Sequence, residues 1–158
     1  MDFIFLLQFI HALGASVLFG TGLGIAYFML MAHRTGHAGV IAVTARFVVL
    51  ADLIFTATAV VVQPISGLLL AWAIGLSPLD ESWIVVSLLL YVVVGLCWLP
   101  AVFIQIRMRD LAHEAAVNAK PLPDEYHRLF RIWFVLGWPA FAGVVGIFAL
   151  MTWQPRWW

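Results

Sequence analysis

Residues 83–106 read WIVVSLLLYVVVGLCWLPAVFIQI and contain no charged side chain. A transmembrane helix needs roughly 20 predominantly apolar residues, so this stretch is long enough to cross a bilayer. Three other stretches have the same character, and we predict membrane spans at residues 2–32, 46–76, 81–107 and 128–153. The sequence therefore predicts an all-α membrane protein.

The composition of the whole chain supports this interpretation. Of its 158 residues, 65% are hydrophobic and 10% are charged, and the mean hydropathy is +1.05. Soluble domains carry about 25% charged residues, so the predicted environment is a lipid bilayer. The formal net charge is zero, which gives no indication of a nucleic-acid partner.

The connectors between the spans predict the topology. The first two are short, so neighbouring helices must be antiparallel, and we expect an up-and-down four-helix bundle. The positive-inside rule assigns basic connectors to the cytoplasm, which places both termini on the outer side. The basic residues in or beside the first and third connectors are Arg34, Arg46, Arg107, Arg109, Lys120, Arg128 and Arg131.

Polar side chains inside the spans are the first candidates for function, because each costs free energy in lipid unless it faces the bundle interior. His11 lies roughly 13 Å down the first span, at 1.5 Å per residue. It shares a helix face with Gly14, and the small residues leave a slot that admits a flat macrocycle or another helix. Histidine is a common ligand of haem iron and of other metals, so His11 is the predicted axial or metal ligand. A hydrogen bond to a neighbouring helix is the structural alternative.

A second ligand can be sought at the same depth as His11. The other histidines lie near the basic connectors, and counting from the outer ends brings residues 66–67 and Met151 level with His11. Met151 is therefore a candidate second haem ligand, or a copper ligand together with His11. Gln63 precedes Pro64 near the midplane. It can satisfy the backbone defect that proline creates, line a cavity or contact a ligand, and we favour the first role.

Asp52 lies about two turns inside the second span, counted from the basic side. A carboxylate at that depth is expected to be neutral or paired. Arg131 has a similar depth, so we predict a structural ion pair between the two, with Arg46 or Arg34 as alternative partners. In the functional alternatives, this region is a cationic site for propionates or another anion, or Asp52 is a protonatable group at the cytoplasmic mouth.

Several motifs resemble those of a bacterial family of predicted membrane proteins called domain of unknown function 2269. They are HALG (residues 11–14), FGTGLGIAYF (19–28), QPISG (63–67), WLPAVFIQIR (98–107), and YHR with GWPAF (126–128 and 137–141). The resemblance covers nearly the whole chain and implies a multi-pass protein of a bacterial inner membrane. The first span is more distantly similar to that of HemJ-type protoporphyrinogen oxidases and CopD-type copper-resistance proteins. HemJ-type proteins are associated with haem b, and only His11 carries over by motif.

These observations lead to a principal hypothesis and two alternatives. The principal hypothesis is a small haem b-binding inner-membrane protein with His11 as axial ligand, exchanging electrons with a quinone, a porphyrin-like molecule or a redox partner protein. One alternative is a non-enzymatic accessory or scaffold subunit, and the other is a copper-handling protein. A second subunit of a homo-oligomer could complete the site at His11. The sequence leaves open whether the protein is an enzyme.

Overall fold

Four long helices joined by short connectors make up the computed structural model, which describes residues 2–158. We number them α1 (Asp2–Thr35), α2 (Ala38–Ala73), α3 (Ser82–Val117) and α4 (Asp124–Trp153). Each helix is long and apolar enough to cross a membrane. The predicted all-α, four-span architecture is confirmed, and the chain from residue 2 onward contains no strand.

Short connectors reverse the chain after each of the first three helices. The amide of Leu76 donates to the Ala71 carbonyl at 2.9 Å just past α2, and the intervening Gly75 has a φ of 79°. This left-handed conformation favours glycine and ends a helix sharply. Gly36, with a φ of 67°, occupies the corresponding place after α1.

The two ends of the bundle differ, and we name them by what they carry. The terminal end holds both chain termini and the α2–α3 connector, while the connector end holds the α1–α2 and α3–α4 connectors. At the connector end the helices run past the predicted spans, with α2 starting at Ala38 and α3 continuing to Val117. A helix of 36 residues is about 54 Å long, whereas the hydrocarbon core of a bilayer is about 30 Å thick.

The main core occupies the connector half. Six of its members are at most 1% exposed and together come from all four helices, namely Met29, Ile41, Ala45, Met108, Ala112 and Tyr126. A smaller cluster of Ala71, Trp83 and Ile84 lies at the terminal end. All four helices therefore meet at the connector end. Towards the terminal end α1 packs chiefly on α2, and α3 chiefly on α4.

The outer surface of the bundle is apolar. Trp72 is 75% exposed, Phe103 70% and Leu96 67%, and many other large apolar side chains share this exposure. Monomeric soluble proteins rarely present contiguous apolar patches of such extent to water. Lipid is the solvent that this surface fits.

α2 contains a π-helical segment, Asp52–Thr56, between two α-helical parts. Such segments are rare, usually span a single turn and are frequent at functional sites. Asp52 and Thr56 are both buried, whereas the three residues between them are exposed. The segment therefore directs two polar side chains from one wide turn into the bundle.

Candidate functional site

His11 lies on the face of α1 that packs against α2. Its Nδ1 atom is 3.0 Å from Ser66 Oγ, and Ser66 Oγ donates to the Gln63 carbonyl at 3.2 Å. When the single hydroxyl proton of Ser66 is given to the Gln63 carbonyl, Ser66 accepts from His11, and the imidazole proton is then on Nδ1. In that tautomer Nε2 carries a lone pair, and the Gln63 backbone carbonyl also lies within reach of the imidazole. Depth counting placed residues 66–67 level with His11, and this prediction is confirmed.

Two glycines allow α1 and α2 to approach closely around this hydrogen bond. A Cβ atom on Gly67 would lie 2.8 Å from His11 Cε1, and one on Gly14 would clash with Gln63 Oε1. The slot predicted beside Gly14 is therefore filled by the Gln63 side chain of α2. Gln63 Oε1 is itself buried and has no hydrogen-bond partner among the described residues.

The backbone defect at Pro64 is satisfied from another helix. A proline lacks the N–H that would bond to the carbonyl four residues earlier, which here belongs to Val60. The Tyr91 hydroxyl of α3 donates to that carbonyl. The prediction that Gln63 satisfies the backbone defect was therefore wrong, because the Tyr91 hydroxyl donates to the freed carbonyl.

Met151 and Arg131 lie away from the hydrogen bonds of His11. Met151 packs against the small cluster at the terminal end that contains Ala71 and Trp83. Arg131 is exposed and lines an open surface groove with Asp124, Glu125 and Arg128. Nowhere in residues 2–158 do three or more His, Cys, Asp or Glu side chains converge as ligands of one metal ion.

Asp52 is the centre of a second polar cluster, nearer the connector end. Its side chain is 3% exposed, and Trp98 Nε1 of α3 donates to Oδ1 at 3.2 Å. Both the nitrogen and the oxygen of the Gln105 amide have hydrogen-bond partners when the nitrogen faces Asp52. In that orientation it donates to Oδ2 at 3.2 Å and accepts from Trp133 Nε1 of α4 at 2.9 Å.

The predicted ion pair between Asp52 and Arg131 is wrong. The ion pairs of the described chain join Arg107 to Glu125, Arg109 to Asp110 and Arg156 to Glu81, and none includes Asp52. Neutral N–H donors take the place predicted for a guanidinium. The sequence interpretation therefore missed Trp98 and Trp133, although an indole N–H inside a span needs a buried partner.

The fold and these two buried polar clusters define an integral membrane protein of four spans whose polar groups face the bundle interior. Residues 5–155 match the model of a family described as predicted integral membrane protein, DUF2269, and the chain belongs to this family. The resemblance read from its motifs is thereby confirmed. No curated protein and no solved structure matches the chain.

Proposed function

We propose that this protein is a small haem b-binding membrane protein in which His11 Nε2 is an axial ligand. The observation that supports the proposal is the 3.0 Å contact between His11 Nδ1 and Ser66 Oγ. Metal-ligating histidines donate their other ring N–H to a fixed acceptor, which orients the ring. Ser66 can act as that acceptor when its own proton is given to the Gln63 carbonyl, and Nε2 then has a lone pair for a metal.

The neighbouring residues fit this role in different ways. Ser66 would hold the ring orientation, and Gly67 is the residue whose missing side chain makes room for the imidazole. The Gln63 amide oxygen now lies against Gly14 without a partner, so moving this flexible side chain breaks no hydrogen bond of that oxygen. A bound haem would supply one-electron redox chemistry.

The role we propose for such a site is electron transfer with a quinone or a porphyrin-like partner. The terminal half, where His11 lies, would face the outer side of a bacterial inner membrane. This orientation is supported by the basic residues, which are concentrated at the connector end. The second axial position would be filled by water, by a side chain of this chain or by a second subunit.

An absorption spectrum of the purified protein tests the proposal. Protein from haem-replete cells should show a Soret band that is lost in His11→Ala and weakened in Ser66→Ala. The matched control is His37→Ala, since His37 is an exposed histidine at the connector end and its loss should leave the band unchanged. A colourless wild-type protein would rule the proposal out.

The second candidate function is a non-enzymatic accessory or scaffold subunit. It is favoured by the fact that Gln63 fills the space beside Gly14 and that His11 already joins α1 to α2 through Ser66. In that case the wild type has no chromophore, and His11→Ala lowers only the free energy of unfolding. The same two samples therefore separate the two functions.

A further inference from the structure

We propose that Asp52 is a proton-binding site, whose carboxyl group gains and loses a proton inside the membrane while the bundle stays folded. The site consists of Asp52, Thr56, Trp98 and Gln105, and we call it the Asp52 cluster. It is separate from His11, and its test gives the same result whether or not the protein binds haem.

The first argument is that the carboxyl group has no permanent counter-charge. Each of its oxygens receives one neutral N–H, from Trp98 and from Gln105. Two such hydrogen bonds stabilise the ionised form, yet burying one net charge in a bilayer remains expensive. A proton is the simplest species that removes this charge, so both protonation states are accessible in energy.

The second argument distinguishes a proton from a metal cation. A cation site in a membrane protein presents oxygen ligands towards the ion. The Asp52 cluster instead directs two N–H groups at the carboxylate, and their partial positive charges would repel a bound cation. The nearby oxygen of Gln105 is turned away and accepts from Trp133.

The third argument comes from Thr56, which lies at the other end of the π-helical segment. Its side chain is 7% exposed, and its hydroxyl oxygen has no hydrogen-bond partner in the described chain. An ionised Asp52 only accepts hydrogen bonds, whereas a protonated one must also donate. The Thr56 hydroxyl lies within reach of the Asp52 carboxyl, and it can donate to the ionised form and accept from the protonated one. The cluster thus holds the groups needed for both protonation states.

The titratable and charged groups of the surrounding helices are engaged elsewhere or exposed. On α1, His33 contacts Tyr126 of α4 at 3.2 Å and stacks on Phe130, and Tyr27 is exposed. On α2, Arg46 is exposed. On α3 and α4, Cys97 is half-buried, Tyr91 is bonded to Val60, Arg107 is paired with Glu125, and Arg109 is paired with Asp110. The other titratable groups of these two helices are exposed, namely His113, Glu114, Asp124, His127, Arg128 and Arg131.

Infrared difference spectroscopy of the whole protein in lipid vesicles, titrated with pH, tests the proposal. The carbonyl band of a protonated carboxylic acid should appear as the pH falls within the range over which the protein stays folded. Asp52→Asn should abolish this band, and the exposed control Asp110→Asn should retain it. The proposal is overturned if the band persists in Asp52→Asn, or if the wild-type carboxyl group stays in one state over the whole range.

A second variant keeps the test decisive if Asp52→Asn does not fold. Trp98→Phe removes one donor to the ionised carboxylate, so the midpoint of the titration should rise by about 1 to 2 pH units. The control is Trp138→Phe, because Trp138 is 65% exposed on the lipid-facing surface. An unchanged midpoint in Trp98→Phe would show that the titrating group is not Asp52.

Discussion

At the connector end the four helices share one core. Towards the terminal end α1 packs chiefly on α2 and α3 chiefly on α4, and the two pairs are linked by Tyr91 and by the small cluster of Ala71 and Trp83. The connector half buries side chains such as Met108 and Tyr126 completely, and Gln105 joins three helices through Asp52 and Trp133. In the terminal half the polar contacts each join two helices, as His11 does to Ser66 and Tyr91 does to Val60.

The two halves also differ in whether their buried polar atoms have hydrogen-bond partners. In the connector half both oxygens of Asp52 and both amide atoms of Gln105 are satisfied. In the terminal half the amide oxygen of Gln63 is buried without a partner. A network that joins three helices holds them in place, and the Thr56 hydroxyl at its edge leaves it one further hydrogen bond. The unsatisfied Gln63 oxygen lies instead beside a close helix crossing, where it leaves capacity for a ligand. The connector half is therefore the rigid part of the bundle, and the terminal half is where a ligand is expected.

The largest effect should come from removing the amide that joins three helices. Gln105→Leu keeps the approximate size of the side chain but leaves Trp133 Nε1 and Asp52 Oδ2 without partners. Two buried groups at roughly 1–3 kcal/mol each predict a loss of about 2–6 kcal/mol in the free energy of unfolding in detergent micelles. The matched control in the other half is Gln63→Leu, which removes an oxygen that has no partner to lose.

Gln63→Leu should change the free energy of unfolding by less than about 1 kcal/mol, since no buried group is left unsatisfied. Equal losses in the two variants would contradict the distinction between the halves. A larger loss in Gln63→Leu would place the main polar contact of the bundle at the terminal end.

The sequence predicts how deep a residue lies along its helix better than it predicts which way the side chain points. Depth along a helix follows from its rise per residue, which is why Ser66 was correctly placed level with His11. Rotation about the axis was neglected for Arg131, which is exposed while Trp133 is buried. Because each residue turns the helix by about 100°, Arg131 and Trp133, which are two positions apart, point in directions about 200° apart. Equal depth therefore does not bring Arg131 to Asp52.

The signal that identifies the correct partner was present in the sequence. Tyr126, Phe130 and Trp133 are spaced at i, i+4 and i+7, the pattern of a buried helix face, and all three are buried. Arg131 lies off that stripe. The π-helical segment Asp52–Thr56 is different, because no residue within it marks the wider turn. Its position depends on the packing of four helices, which a single sequence does not display.

An intermediate effect is expected at the close crossing of α1 and α2. Gly67→Ala places a methyl group 2.8 Å from His11 Cε1, so the imidazole must shift away from Ser66. Overpacking costs roughly 1–3 kcal/mol, partly offset by the better helix propensity of alanine, and the net loss should be about 1–2 kcal/mol in unfolding experiments. Gly24→Ala is the control, since a Cβ there meets no atom within 4 Å. An equal response of the two variants would mean that the crossing is not tight.

The smallest effect concerns the backbone defect at Pro64, which the terminal half closes with a single hydrogen bond from Tyr91. Tyr91→Phe leaves the Val60 carbonyl without its donor, and hydrogen bonds between membrane helices contribute about 1 kcal/mol. The control Tyr27→Phe removes a hydroxyl from an exposed side chain and should change nothing measurable.

A double-mutant cycle with Pro64→Ala identifies the cause of the Tyr91 effect. Alanine restores an N–H that can bond to the Val60 carbonyl within the helix, so the phenol is no longer needed there. Tyr91→Phe should then lower the free energy of unfolding by less than half as much in the Pro64→Ala background as in the wild type. Equal losses in both backgrounds would mean that the Tyr91 hydroxyl stabilises the bundle by a contact other than the one that closes the defect at Pro64.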